Sequence, residues 1–167
     1  MFLRLPRARV ALPAVLALVL LVTSGVGAAT ATTKLPPRHG PSREQRIERA
    51  IAIAKRQIGD PWVWGRSGPA AFDCIGLVLY SFSRAGARNL MFRGSYSVRG
   101  TWAVFKRHHR ANRVNPRRGD LVVWGKGKHI GIYLGRGRAI SALTSGVRIH
   151  RVNQLTDPFT AYLHIKR

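Results

Sequence analysis

A single cysteine, Cys74, carries the side chain of this sequence best suited to nucleophilic chemistry. It follows Asp73, which can cap a helix, and apolar residues recur after it at helical spacing as far as Phe82. This pattern predicts a buried helix that starts at about Asp73, with Cys74 in its first turn. Because the free N–H groups and the dipole of a helix start lower the pKa of a thiol, we expect Cys74 to ionise readily.

A thiolate nucleophile needs a base, a group that orients the base and a site for the oxyanion. His129 is the best candidate for the base, because it begins an apolar segment directly after a glycine-rich turn. The other histidines are His39, His108, His109, His150 and His164. Spacing alone leaves two ordinary interpretations open: Cys74 as a small, inert core residue, and His129 as the polar end of a strand.

The elements that would position these side chains begin as helices. Ser42 precedes apolar residues at helical spacing, which predicts a first helix ending near Gly59. The segment 60–69 is rich in aromatic residues and helix breakers, and is predicted to be a loop or a short strand. A further helix is predicted over 95–108.

After residue 115 the pattern becomes one of short apolar segments separated by turns. Strands are predicted over 120–124, 129–134, 138–143, 147–152 and 161–165. Helices followed by hairpin-linked strands indicate the α+β class, with a mostly antiparallel sheet.

The N-terminus carries the pattern of a secretory signal peptide. Three arginines precede an apolar run over Val10–Val22, and Ala29-Thr30-Ala31 fits a cleavage site between small residues. A membrane anchor is the disfavoured alternative, because this run has about 13 residues and a spanning helix needs roughly 17–25. We therefore expect a signal peptide over 1–31, a flexible arm over 32–43 and one folded domain over 44–167.

The charge of the chain predicts an anionic partner. Among 167 residues, 29 are Lys or Arg and 6 are Asp or Glu, a formal net charge of +23. For an exported protein we expect anionic cell-wall polymers rather than nucleic acid as partners, with no stable membrane insertion after signal removal. Scattered arginines also fit an ordinary solvated surface, and that alternative stays open. We expect no metal site and no cofactor, since no ligand cluster has zinc spacing.

Five segments resemble, in the same order, motifs of the NlpC/P60 family of papain-like cysteine peptidases. They are Ala52–Gly59, Pro61–Gly65 (Pro-Trp-Val-Trp-Gly), Phe72–Val78 (Phe-Asp-Cys-Ile-Gly-Leu-Val), Pro116–Val122 and His129–Gly135 (His-Ile-Gly-Ile-Tyr-Leu-Gly). The resemblance covers about residues 44–165. It implies a papain-like fold in which N-terminal helices pack on a mostly antiparallel sheet of five to six strands. It also implies a hydrolase of peptidoglycan stem peptides that cuts a D-γ-glutamyl-diamino acid bond. From the signal-peptide pattern we expect this hydrolase to be secreted, and we expect it to be a monomer.

The resemblance implies roles for individual residues. Cys74 matches the nucleophile and His129 the base, while Asp73 matches an acidic residue that helps hold the amino group of the substrate. Ser141 stands where the family has its third catalytic residue, usually His. A serine hydroxyl can accept the Nδ1–H of His129, so we expect Ser141 to orient the ring as a weaker partner than an imidazole.

Two further positions depart from the family's pattern. Trp62 stands where a loop tyrosine assists near the oxyanion, and Ile75 replaces a serine that lines the substrate site. We expect Ile75 to narrow the pocket. Because nucleophile and base are retained, a working hydrolase with altered substrate preference is the favoured prediction. The alternatives are an amidase or acyltransferase acting on another substrate, and a catalytically weak cationic module that binds the wall.

Overall fold

Three α-helices precede the main strands in the computed structural model, which describes residues 40–91 and 96–166. Helix α1 spans Arg43–Arg56, α2 spans Cys74–Arg84 and α3 spans Val98–Arg107, with a short 3-10 helix at Arg88–Leu90. The expected signal peptide and all but the end of the expected arm lie outside the described residues. Within those residues, no helix combines the length and the apolar character needed to cross a membrane.

Each α-helix begins at a side-chain cap. Ser42 and Gln45 form a reciprocal capping box at the start of α1, with distances of 3.1 and 2.7 Å. Asp73 caps α2 by accepting a hydrogen bond from the backbone N–H of Gly76 at 2.6 Å, and Ser97 caps α3. The three predicted helices are confirmed, although α3 starts later than expected because its cap is Ser97.

Six strands of the described chain form one antiparallel sheet. They are β1 (Ala111–Asn112), β2 (Leu121–Trp124), β3 (His129–Gly135), β4 (Arg138–Leu143), β5 (Gly146–Arg151) and β6 (Phe159–Leu163). Their order across the sheet is β1-β6-β2-β3-β4-β5, and every neighbouring pair is antiparallel. The predicted α+β class and antiparallel sheet are confirmed. The edge strand β1 was not predicted, because two residues are too few to show a pattern.

Apolar side chains pack on both faces of this sheet. Alternate residues of β2 divide between the two faces, with Val123 in a large core shared with α1 and α2 and Trp124 in a smaller cluster. Val152, Leu155 and Phe159 cover that smaller cluster. A one-residue slip of β2, β3 or β4 would exchange the two faces, so the packing determines the register of these strands.

The loop before α2 crosses the first turn of that helix at very close range. A Cβ on Gly76 would overlap the carbonyl oxygen of Arg66, so only glycine fits there without a backbone shift. The same Arg66 carbonyl accepts a hydrogen bond from the N–H of Asp73 at 2.8 Å. The carboxylate of Asp73 in turn accepts one from the N–H of Gly65 at 2.9 Å. These contacts hold the tryptophan-bearing loop against the start of α2.

Candidate active site

Cys74 is the first residue of α2, and its partly exposed side chain borders a cleft of about 410 Å³. Burial raises the pKa of the Cys74 thiol above its ordinary value, and the neighbouring Asp73 carboxylate adds to the rise. Hydrogen bonding with the backbone of Ile130 and of the first α2 residues lowers the pKa, but by less. The expectation of a readily ionised thiol is therefore wrong, because desolvation outweighs the helix-start N–H groups.

His129, the first residue of β3, borders the same cleft. Its Nε2 lies 2.9 Å from Oγ of Ser141 on β4. Ser141 therefore stands beside the ring as expected, but it contacts Nε2 instead of Nδ1. Burial lowers the pKa of His129 to about 4, with a further lowering from His150 and an opposing effect of Asp157. The ring is consequently neutral at pH 7.

A second histidine, His150 on β5, lies behind Ser141. Its Nε2 is 2.8 Å from Oγ of Ser141, and its Nδ1 is 2.9 Å from the carbonyl oxygen of Arg151. Ser141 is fully buried and His150 is 6% exposed. Burial also lowers the pKa of His150. We call His129, Ser141, His150 and the Arg151 carbonyl the histidine row, because hydrogen-bond distances connect them from the cleft to the backbone of β5.

Trp124 packs against both imidazoles of the histidine row. Its ring centroid is 5.4 Å from that of His129 and 5.4 Å from that of His150. The indole is fully buried, and its Nε1–H donates to the carbonyl of Val152 at 2.6 Å. A fixed indole in contact with both rings restricts their rotation, which favours one arrangement of the row.

The cleft walls combine aromatic and charged side chains. Trp62 and Trp64 contribute aromatic surface, with ring centroids 6.4 Å apart, and Trp64 is 82% exposed. Lys128 and Asp157 also line the cleft, with Nζ and Oδ1 separated by 3.6 Å. The cleft therefore offers apolar surface together with one lysine and two carboxylates, those of Asp73 and Asp157.

Of the three residues predicted to bind substrate, two line the cleft and one does not. Trp62 and Asp73 line the cleft, although both carboxylate oxygens of Asp73 already accept backbone N–H groups. Ile75 is 8% exposed and packs in the helix-covered core, and it is not among the described residues that line the cleft. The expectation that Ile75 narrows the pocket is therefore wrong, because the second residue of α2 faces the core.

Sequence reasoning missed four residues of this region: Trp64, Lys128, His150 and Asp157. His150 was a candidate only as an isolated histidine. The signal that could have placed it is the β4–β5 hairpin, in which Ser141 pairs with Arg148 and so has His150 as a diagonal neighbour on the same face. Across residues 40–91 and 96–166, no group of three or more His, Cys, Asp or Glu side chains is arranged to hold a metal ion.

A thiol and a neutral imidazole that border one cleft suit acyl transfer by nucleophilic attack with general-base assistance. The thiol supplies the nucleophile, and the imidazole can take its proton as the new bond forms. The N–H groups at the start of α2 are suited to stabilise an oxyanion.

Comparison with known proteins finds a matching family and named endopeptidases. Residues 59–164 match the model of the NlpC/P60 family. The chain is 29% identical over 134 residues to a probable endopeptidase p60 of Listeria grayi, covering 78% of the chain and 25% of that protein. It is 29% identical over 151 residues to the peptidoglycan endopeptidase RipA of Mycobacterium tuberculosis, covering 81% of the chain and 30% of RipA. The chain thus spans less than a third of the length of either relative.

Among solved structures, the fold resembles the P60 domain of the M. avium subspecies paratuberculosis antigen MAP1204. The TM-score is 0.57 at 25% sequence identity. The match covers 75% of this chain and 98% of that domain, so the similarity extends over almost all of the compared structure.

Proposed function

The chain belongs to the NlpC/P60 family, and from this premise we propose that it is a cysteine endopeptidase that hydrolyses peptidoglycan stem peptides. The proposed bond joins D-γ-glutamate to a diamino acid. The observation that carries the proposal is the cleft shared by Cys74 and His129, with Ser141 hydrogen-bonded to the base. The names of the relatives support the reaction class, and that of RipA supports the substrate.

In the first half of the reaction, Sγ of Cys74 attacks the amide carbonyl carbon while neutral His129 accepts the thiol proton. Burial disfavours both a free thiolate and a free imidazolium, so attack and proton transfer occur together instead of following a resting ion pair. The backbone N–H of Cys74, at the start of α2, is the proposed donor to the oxyanion.

The tetrahedral intermediate then collapses with cleavage of the C–N bond. Protonated His129 gives its proton to the leaving amine, and the acyl fragment remains on Cys74 as a thioester. In the second half, His129 takes a proton from a water molecule that attacks the thioester carbonyl. Return of that proton to sulfur releases the carboxylic acid and restores the thiol.

The proposed setting is the cell wall. Residues 1–31 would direct export and carry three of the arginines, and the net charge of about +20 that remains after their removal favours adhesion to anionic wall polymers. In the cleft, Asp157 and Lys128 offer one partner each for the amine and carboxylate groups of a stem peptide. The aromatic surface of Trp62 and Trp64 suits the apolar parts of such a peptide. The proposed enzyme acts as a monomer.

A cationic wall-binding module with weak catalysis is the second candidate. Two observations favour it: the raised pKa of Cys74, and a serine at the position where the family's third catalytic residue stands.

Digestion of purified cell wall separates these candidates. The wild type should release stem fragments with a new free amine on the diamino acid, identified by mass. Cys74→Ala should release none, and Ser83→Ala, an exposed change on the same helix, should match the wild type.

Three other results would contradict the proposal. Equal release by wild type and Cys74→Ala excludes the cysteine mechanism. Adhesion without release by either protein supports the wall-binding module. Turnover of other amides or esters by a wild type that leaves the wall intact supports an amidase or acyltransferase.

A further inference from the structure

A backbone carbonyl determines the direction of the hydrogen bonds in the histidine row. The Arg151 carbonyl can only accept, so His150 Nδ1, at 2.9 Å from it, must carry a hydrogen. Burial lowers the pKa of His150, so the ring is neutral at pH 7 and its Nε2 presents a lone pair. Ser141 Oγ therefore donates its hydrogen to His150 Nε2 across 2.8 Å.

The direction of the Ser141–His150 hydrogen bond also determines which nitrogen of His129 carries a hydrogen. Since the single hydroxyl hydrogen of Ser141 is directed at His150, Oγ can only accept from Nε2 of His129 at 2.9 Å. His129 is then the Nε2–H tautomer, and Nδ1 is its basic nitrogen. A serine without His150 could rotate its hydroxyl and either donate or accept, which would leave the tautomer of His129 undetermined.

We propose that His150 is a positioning residue: through Ser141 it holds His129 in the Nε2–H tautomer, so that Nδ1 is the nitrogen that accepts the proton of Cys74. The catalytic part of this inference rests on the proposed function, whereas the tautomer does not. A serine and an imidazole from the next strand thus take the place of the single residue, usually His, that the family carries at the position matching Ser141.

The packing around the row explains why this replacement fits. Gly131 on β3 lies beside Ser141, and a Cβ on Gly131 would be 2.9 Å from Cβ of Ser141. The strands are therefore close at this point, and a small residue at 141 leaves room for the ring of His150 from β5. Trp124 contacts both imidazoles, so neither ring turns without disturbing the smaller core.

The tautomers can be measured directly on the wild-type protein. Two-dimensional NMR that correlates ring carbon-bound protons with imidazole nitrogens distinguishes Nδ1–H from Nε2–H histidines at pH 7. His129→Gln and His150→Gln would assign the two rings. We expect Nε2–H for His129 and Nδ1–H for His150, whereas Nδ1–H for His129 would overturn the proposal. Ser141→Ala should leave His129 as a mixture of tautomers, and an unchanged Nε2–H population would also overturn it.

Kinetics of stem-fragment release provide the second test. Ser141→Ala and His150→Leu should each lower kcat by about tenfold to 100-fold with little change in KM, the range known for removing partners that orient metal-bound histidines. The double variant should be no slower than Ser141→Ala alone, because the connection to His150 is already broken. Effects that multiply would contradict action through Ser141, and so would two single variants with wild-type kcat.

Two controls separate positioning from folding. His150→Gln keeps an oxygen that can accept from Ser141 and should retain more activity than His150→Leu, whereas equal loss in both would contradict the proposal. His164→Gln removes another hydrogen-bonded imidazole of the fold, one paired with Asp120 at 2.8 Å, and should keep wild-type kcat. If the wild type releases nothing from the wall, the proposed function fails while the NMR measurement still decides the tautomer.

Discussion

Alkylation of Cys74 by a small uncharged reagent such as iodoacetamide should accelerate about 100-fold between pH 6 and pH 8. The thiolate is the reactive form, and below the pKa its fraction grows tenfold with each pH unit. Burial raises the pKa of Cys74 above the ordinary 9.0, so the whole interval lies below it. A resting thiolate–imidazolium pair would instead be ionised throughout this interval, and its rate would stay nearly constant.

The size of the effect follows from the same pKa. A thiol with the ordinary pKa of 9.0 is about 1% ionised at pH 7, and Cys74 should be ionised less. Alkylation at pH 7 should therefore be at least about 100-fold slower than for a fully ionised pair of equal access. Asp73→Asn keeps an oxygen for the N–H of Gly76 but removes the charge that raises the thiol pKa, so it should react faster at pH 7.

The assay is simple because the chain has one cysteine, so a single adduct in the intact mass reports Cys74. The alkylation rate of the urea-unfolded protein is the rate of a fully accessible thiol at each pH. Dividing the folded-state rate by this unfolded-state rate corrects for the intrinsic reactivity of the reagent. A folded-state rate that is constant within about twofold from pH 6 to pH 8 would refute the neutral resting thiol, and with it the coupled attack proposed above.

Three further predictions concern stability and surface charge. Burial lowers the pKa of His129 from 6.5 to about 4, so the folded state binds fewer protons than the unfolded chain between these values. The free energy of unfolding of the wild type should therefore fall by up to about 3 kcal/mol as the pH drops from 6.5 to 4, and that of His129→Gln should fall by less. Urea titrations that show the same fall for both proteins would contradict this prediction. Gly76→Ala should destabilise the fold by about 3 kcal/mol, because the added Cβ would overlap the carbonyl oxygen of Arg66 in the preceding loop. An unchanged melting temperature would show that the loop backbone shifts to accommodate the methyl group, which contradicts the prediction. Retention of the protein on purified wall should fall steeply as the salt concentration rises, and salt-insensitive retention would contradict an electrostatic origin. Three arginines, Arg136, Arg138 and Arg151, line a groove of about 860 Å³ whose lining has no acidic side chain. Replacing these three arginines with Gln should weaken retention at low salt.

Helix α2 shows which features of the site the local sequence predicts and which it does not. A capping Asp73 followed by an apolar stripe predicted where the helix starts, and the structure has Cys74 as its first residue. The pKa of Cys74 was predicted in the wrong direction, because it depends on burial of the thiol in the folded protein. There Cys74 packs against a core that includes residues far away in the sequence. A helix start reveals the N–H groups near a thiol, but it does not reveal how much water the rest of the fold removes.

The residue that contacts the base, Ser141, was likewise predicted only in part from the sequence. Position 141 was identified through the family resemblance, and Ser141 does contact the ring of His129. Which ring nitrogen it meets depends on the side-chain rotamer of His129, for which the sequence carries no signal. The contribution of His150 required the register of β4 against β5, in which Ser141 pairs with Arg148. Tertiary pairing therefore completed a site that sequence motifs outlined only in part.

The most direct test of the central claim is to look for the acyl group on Cys74 itself. Wild-type protein mixed with a purified stem peptide and quenched in acid within the first turnover should gain the mass of the acyl fragment, and peptide mapping should place it on Cys74. The thioester should disappear as free acid accumulates, and Cys74→Ala should form neither adduct nor product. Hydrolysis of the same bond by Cys74→Ala at the wild-type rate would contradict the account.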